Sequence, residues 1–189
     1  MHSTLDGDCN YQITYSFSQE QALAISVTLD MKEDLPQVPR IGLQWKLNPL
    51  YETADWYGKG PWPNYADRNY GARLQYHSSA IADLFHQYVI PQESANRSQI
   101  RTVKLTGQKD VLNIAMDQPF NFSAYNYDDK DIESAKHINE LKKTGFTTLN
   151  IDVKMKGVGG DTAWDDRSQP HVEYRVKPGK YNFSVFLKF

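Results

Sequence analysis

The constraint that decides most about this chain is a side-chain period of two, repeated from one end to the other. Tyr11, Ile13, Tyr15 and Phe17 share one face of an extended segment, and Leu23, Ile25, Val27, Leu29 and Met31 share one face of the next. Asp34-Leu35-Pro36-Gln37-Val38-Pro39 breaks the pattern, because proline cannot donate to a ladder and restricts the residue before it. Ile41, Leu43, Trp45 and Leu47 then resume it, followed by Val103/Leu105, Leu112/Ile114/Met116, Leu149/Ile151/Val153/Met155, Val172/Tyr174/Val176 and Tyr181/Phe183/Val185/Leu187/Phe189. Such alternation predicts antiparallel strands with one buried face, and Pro178-Gly179 reads as a hairpin turn between the last two. Two segments carry helical spacing instead. Ser79–Tyr88 sets Ile81, Leu84, Phe85 and Tyr88 on one side behind a serine N-cap. Asp128–Leu141 opens on acidic residues, which suits the helix dipole, and aligns Ile132, Ala135, Ile138 and Leu141. The expected fold is all-β: one large antiparallel sandwich over residues 1–189 with one or two short helices.

A chain of 189 residues can bury a core of its own as one domain. Aromatic residues make up 13% of it, with 12 tyrosines against 4 methionines, a bias that favours strands and suits contact with sugar rings. The net charge of −2 supplies no basic footprint for nucleic acid or anionic membrane. No apolar run approaches the ~20 residues that span a bilayer, and Met1–Asn10 is polar, without the apolar centre of a signal peptide. The compartment of a soluble chain of this kind, cytoplasm or periplasm, stays open. The lone cysteine, Cys9, forms no internal disulfide and is read as an incidental thiol near a mobile end. Strands that begin and finish so near the two ends give the chain the look of an excised domain.

Catalytic constellations are scarce. No Gly-x-Ser-x-Gly elbow occurs, and His77, His86, His137 and His171 are too scattered for metal-ligand spacing. Glu52, Asp55, Asp67, Glu93, Asp161, Asp165 and Asp166 are numerous but form no recognisable acid–nucleophile pair of the kind glycoside cleavage requires. Glu93 is expected beside Arg97 or Arg101, and Asp161 is expected to accept backbone N–H groups in its own turn. No catalytic residue and no metal ligand is therefore assigned.

One segment does point outward. Gly157-Val158-Gly159-Gly160-Asp161-Thr162-Ala163-Trp164 follows the alternating run that ends at Met155. Glycines allow positive φ and close backbone approach, so the indole is placed by a tightly folded loop. Its flat ring and single N–H donor suit the apolar face of a sugar. Trp164 is the candidate substrate-binding residue, with Gly159, Gly160 and Asp161 as its supporting loop. Trp45, in strand register, is expected in the core. Trp56 and Trp62 flank the long loop Gly58–Arg73, a length more often functional or partner-facing than idle.

Taken in order, four blocks resemble the C-terminal part of the bacterial β-galactosidases of glycoside hydrolase family 2. They are Pro39–Leu43, Trp56–Arg68 with its Gly58-Lys59-Gly60-Pro61 and Asn64-Tyr65-Ala66-Asp67-Arg68, Tyr88–Glu93, and Leu149–Asp152 running through Gly159-Gly160-Asp161 to Trp164. Phe120–Ser123 with His137–Leu141 is a weaker fifth. The resemblance implies a galactose-mutarotase-like sandwich that extends past the N-terminal end of this chain. It implies that Trp164 reaches the active site of a neighbouring catalytic barrel, whose two glutamates hydrolyse terminal β-D-galactosides such as lactose with retention. It implies no cofactor here, since the family's magnesium and sodium ions are bound largely outside this part. The barrel domain, the galactoside and further copies of the parent enzyme are the implied partners. Two departures stand out: Pro63 occupies the place of a family glutamate before Asn-Tyr, and Ser94-Ala95 replaces Asn-Gly after Glu93. A stand-alone carbohydrate-binding module and an aldose 1-epimerase using Glu93 and a histidine are the alternative readings.

Overall fold

The computed structural model describes residues 8–18, 22–47 and 51–189. Up to Gly7, the polar opening segment lies outside them. Among the described residues, nine antiparallel strands form one connected sheet: β1 Cys9–Phe17, β2 Ala22–Met31, β3 Arg40–Leu47, β4 Tyr51–Gly60, β5 Arg73–Ala80, β6 Arg97–Gly107, β7 Val111–Tyr125, β8 Thr147–Met155 and β9 Lys180–Lys188. Seven follow the order β1-β2-β9-β7-β6-β4-β5, while β8 pairs with β7 and β3 with β8. The all-β sandwich expected from the alternation is the observed architecture.

The 15-residue β7 makes the two layers possible. Asn113–Met116 pair with β9, whereas Asn121–Tyr125 pair with β8, so one strand passes from the larger layer into the smaller. Its partner β6 accommodates the bend through register shifts on either side of Ile100, beside Gln99 at φ 55°. The alternating apolar faces meet between the layers: Ile25, Val27, Val103, Leu105, Ile114 and Val185 from one pack with Ile41, Leu149 and Ile151 from the other. Trp45 is half-buried against this core, and Trp56 lies within it at 1% exposure. Cys9 is a free thiol in β1, paired with Met31 and packed on the core, so it belongs to the sheet and not to a mobile end.

Three local expectations are corrected. Ser79 and Ala80 are claimed by β5, pairing with Ala54 and Thr53, so Ser79–Tyr88 forms no α-helix. A single 3₁₀ turn, Ile81–Asp83, is enough to bury Ile81, Leu84 and Phe85. The second helix shrinks to α1, Asp129–Ser134. Asp128 caps it by accepting the Lys130 N–H, but Ala135 is already extended, and a separate 3₁₀ turn, Ile138–Glu140, follows. So short and charged a helix depends on tertiary contact, here Ile132 against Phe85, Tyr125 and Tyr127. Finally, Val172–Tyr174 is a 3₁₀ turn and Val176 contributes one bridge to Val38, so Pro178-Gly179 closes no hairpin. β9 pairs with β2 and β7 instead.

Candidate functional site

β8 ends at Met155, and the next residues are tied down one by one. Lys156 N–H donates to the Pro39 carbonyl at 3.0 Å and Gly157 N–H to the Tyr174 carbonyl at 2.8 Å. Val158 and Gly159 N–H groups both donate to Asp67 Oδ2 at 2.8 Å. Asp161 N–H then donates to the Arg167 carbonyl at 2.7 Å, which closes the loop on itself. Glycine is required here for close approach and not for a left-handed backbone: Gly179 is the one glycine with positive φ among the described residues. At Gly160 an added Cβ would overlap the Arg167 carbonyl, and at Gly157 it would stand 2.5 Å from Asp67 Oδ2. Gly159 carries no such restriction; its Cβ would find ordinary contact at 3.8 Å.

The far half of the loop is held by Asp165. Its carboxylate accepts the Arg167 N–H at 2.9 Å, the Arg167 guanidinium at 2.6 Å and the Thr162 hydroxyl. Those bonds, from Arg167 first and Thr162 second, hold the Asp165 pKa below the usual carboxylate range. Asp161 is not the acceptor in its own turn. Its Oδ1 faces His171 Nε2 at 2.7 Å, and this hydrogen bond, reinforced by the Asp161 charge, raises the His171 pKa above 6.5. Between the two fastened halves stands Trp164, 85% exposed, with no hydrogen bond to its indole among the described residues. An aromatic ring on a closed loop, open to solvent, is the arrangement that can meet a flat apolar ligand face.

Beside this loop lies the segment Pro61–Ala72, and it too is rigid. Asn64 Oδ1 accepts the Ser98 N–H at 3.0 Å and hydroxyl at 2.6 Å, while Asn96 Nδ2 donates to the Asn64 carbonyl at 2.7 Å. Tyr65 is fully buried and its hydroxyl donates to Glu93 at 3.0 Å; burial first, then the Glu93 charge, raises the Tyr65 pKa. Arg68 lies over the Tyr65 ring, 5.1 Å from its centroid. Trp62, at 75% exposure, is a second solvent-facing indole, unlike Trp56. A groove of about 340 Å³ runs between Asp67, Arg68, Gly159, Asp161, His171 and Tyr174, and a neighbouring hollow of about 410 Å³ is bounded by Trp62 and Tyr70.

Glu93 lies near Arg97 but forms its ion pair with Arg40. Its Oε1 accepts the N–H groups of Ala95 and Asn96 at 3.0 and 3.1 Å, and its Oε2 lies 3.6 Å from Arg40. Arg40 also forks onto buried Asp152 through Nε at 3.1 and 3.2 Å. Burial alone would lower the Arg40 pKa, but the Asp152 carboxylate more than reverses this. Arg97, by contrast, spends its guanidinium on the carbonyls of Pro61, Leu84 and Ala95, and desolvation pulls it down to about 10. No histidine side chain bonds to Glu93 among the described residues: His77 stacks on Trp56 at 5.1 Å and His86 abuts Tyr88 at 4.5 Å. Glu93 is a structural acceptor, bonded by the Tyr65 hydroxyl and two backbone N–H groups.

Sequence reasoning missed Asp67 as the partner of the glycine loop and the buried polar side of β8. Thr148, Asn150 and Asp152 alternate with the apolar residues and look solvated, yet all three are buried. Asn150 donates to Ser123 Oγ at 3.0 Å and to the Tyr125 hydroxyl at 3.1 Å, and Thr148 donates to the Tyr127 carbonyl at 2.6 Å. Among the described residues, no three His, Cys, Asp or Glu side chains gather where they could hold a metal ion, and no helix is long and apolar enough to cross a membrane.

The family described as beta galactosidase small chain matches residues 1–187. A beta-galactosidase of Halalkalibacterium halodurans is 34% identical over 181 residues, which cover 93% of this chain and 18% of that protein. A beta-galactosidase of Photobacterium profundum is 33% identical and one of Pseudoalteromonas haloplanktis 31%, each over 93% of this chain and 16% of the relative. The chain thus spans less than a fifth of the length of these relatives.

Proposed function

The chain belongs to the β-galactosidase small-chain family, and from that premise we propose that it is the terminal domain of a β-galactosidase in which Trp164 forms one wall of the sugar site. The observation that carries this reading is the indole itself: 85% exposed on a loop closed by its own backbone and two carboxylates. A loop held this way loses little backbone freedom when a sugar covers its ring, so more of the contact energy appears as affinity. The chemistry of cleavage belongs to two carboxylates outside this chain, in a retaining mechanism acting on terminal β-D-galactosides. That Asp67, Asp161 and Asp165 are each committed to loop contacts supports this reading. The metal ions of the parent family lie, on this reading, with the catalytic barrel that Trp164 faces.

An aromatic platform contributes about 0.5–1.5 kcal/mol beyond area burial, which is up to about tenfold in affinity. Trp164→Ala in the full-length enzyme should therefore raise KM for an aryl β-galactoside by up to about that factor, with a smaller change in kcat. Steady-state kinetics on the purified variant decide the matter. An unchanged kcat/KM would remove the platform role. The isolated chain should show no hydrolysis of the same substrate.

A further inference from the structure

Two segments 92 residues apart in the chain meet at one carboxylate. Asp67 lies in a tight turn in which Tyr65 N–H donates to the Arg68 carbonyl at 3.1 Å and Arg68 N–H to the Tyr65 carbonyl at 3.0 Å. The turn is anchored from below by the fully buried Tyr65 ring and its bond to Glu93, and on its flank by Asn64, locked to Ser98 and Asn96. From that base, Asp67 Oδ2 receives the two successive N–H groups of Val158 and Gly159, both at 2.8 Å. Hydrogen bonds to an ionised acceptor are shorter and stronger than neutral ones.

The fit is close on both sides. Asp67 Oδ1 is sealed from solvent and has no hydrogen-bond partner among the described residues, so the carboxylate is held through Oδ2 alone. Gly157 supplies the space: a Cβ there would stand 2.5 Å from Oδ2 and 2.6 Å from the carboxyl carbon. Aspartate at 67 and glycine at 157 therefore form one matched unit. Beyond it, residues 160–168 are closed by the Asp161–Arg167 backbone bond and the Asp165 carboxylate, so they move with their point of attachment.

We propose that Asp67 is a positioning residue for Trp164: by fastening the start of the glycine loop to the Tyr65–Arg68 turn, it sets where the indole stands against the bound galactoside. This rests on the platform role of Trp164 given above. It concerns the placement of the ring and requires no contact between Asp67 and sugar.

In the full-length enzyme, Asp67→Ala should raise KM for an aryl β-galactoside several-fold, by no more than Trp164→Ala does, and leave kcat nearly unchanged. Because Asp67 acts through the indole, the double variant should be no worse than Trp164→Ala alone; losses that multiply would overturn the proposal. Gly157→Ala attacks the same joint from the other side. Its penalty in kcat/KM should appear with Asp67 present and vanish in the Asp67→Ala background, whereas equal penalties in both would refute the matched unit. Asp67→Asn, which keeps the shape and one accepting oxygen, should recover most of the lost affinity. Should Trp164→Ala leave kinetics untouched, the platform reading fails, and amide hydrogen exchange over residues 156–163 tests the fastening by itself. Faster exchange at Val158 and Gly159 in Asp67→Ala upholds it; unchanged exchange refutes it.

Discussion

At the scale of single residues, the loop shows how closely side-chain choice is tied to backbone contact. Gly160 has no room for a methyl group because the Arg167 carbonyl, a backbone atom, occupies the space. Gly160→Ala should therefore open the loop at a cost of about 1–3 kcal/mol of local stability, seen as faster amide exchange at Asp161. Gly159→Ala, with ordinary contact at 3.8 Å, should leave it nearly unchanged. The glycine cluster and Trp164 were legible in the sequence as a tight turn that carries an exposed ring. Its fasteners were not. Asp67 is separated from Val158 by 91 residues, and only the folded sheet brings it to the glycine loop. Asp161, the obvious local acceptor, turns to His171 instead, because Asp67 and Asp165 already take the N–H groups.

Elements repeat the lesson. Strand positions followed from the period of two, since that pattern is local and survives any tertiary arrangement. One helical expectation was overridden, since sheet pairing took Ser79 and Ala80, and the other was shortened to Asp129–Ser134, where Ile132 is the buried residue. The polar side of β8 was illegible for a different reason, because alternation tells which side is apolar and not what covers the other. Asn150→Ala would strip Ser123 and the Tyr125 hydroxyl of a buried partner, and should cost about 1–3 kcal/mol in urea unfolding. The Trp164 loop has its own pH response. His171 is raised above 6.5 by Asp161, so the pair's contribution is complete below that value and is lost as pH climbs through the folded pKa. Amide protection at Asp161, corrected for intrinsic exchange, should accordingly fall with pH in this window, and His171→Gln should flatten the step.

Over the whole molecule, β7 joins the two layers, and Phe122 shows what that joint carries. Its ring is fully buried and lies 5.5 Å from Trp56, while its backbone pairs with Ile151 of β8 and Arg97 of β6. Phe122→Ala should cost about 3–5 kcal/mol and lower hydrogen-exchange protection in both layers together, since neither keeps its boundary without that strand. The sandwich thus holds itself together well away from Trp164. The indole is a fitting mounted on a finished frame: among the described residues no hydrogen bond or ring contact involves its side chain. Replacing it with tyrosine, phenylalanine or histidine therefore changes what the molecule offers its neighbours and leaves its melting temperature alone, so one codon can tune recognition without taxing the architecture.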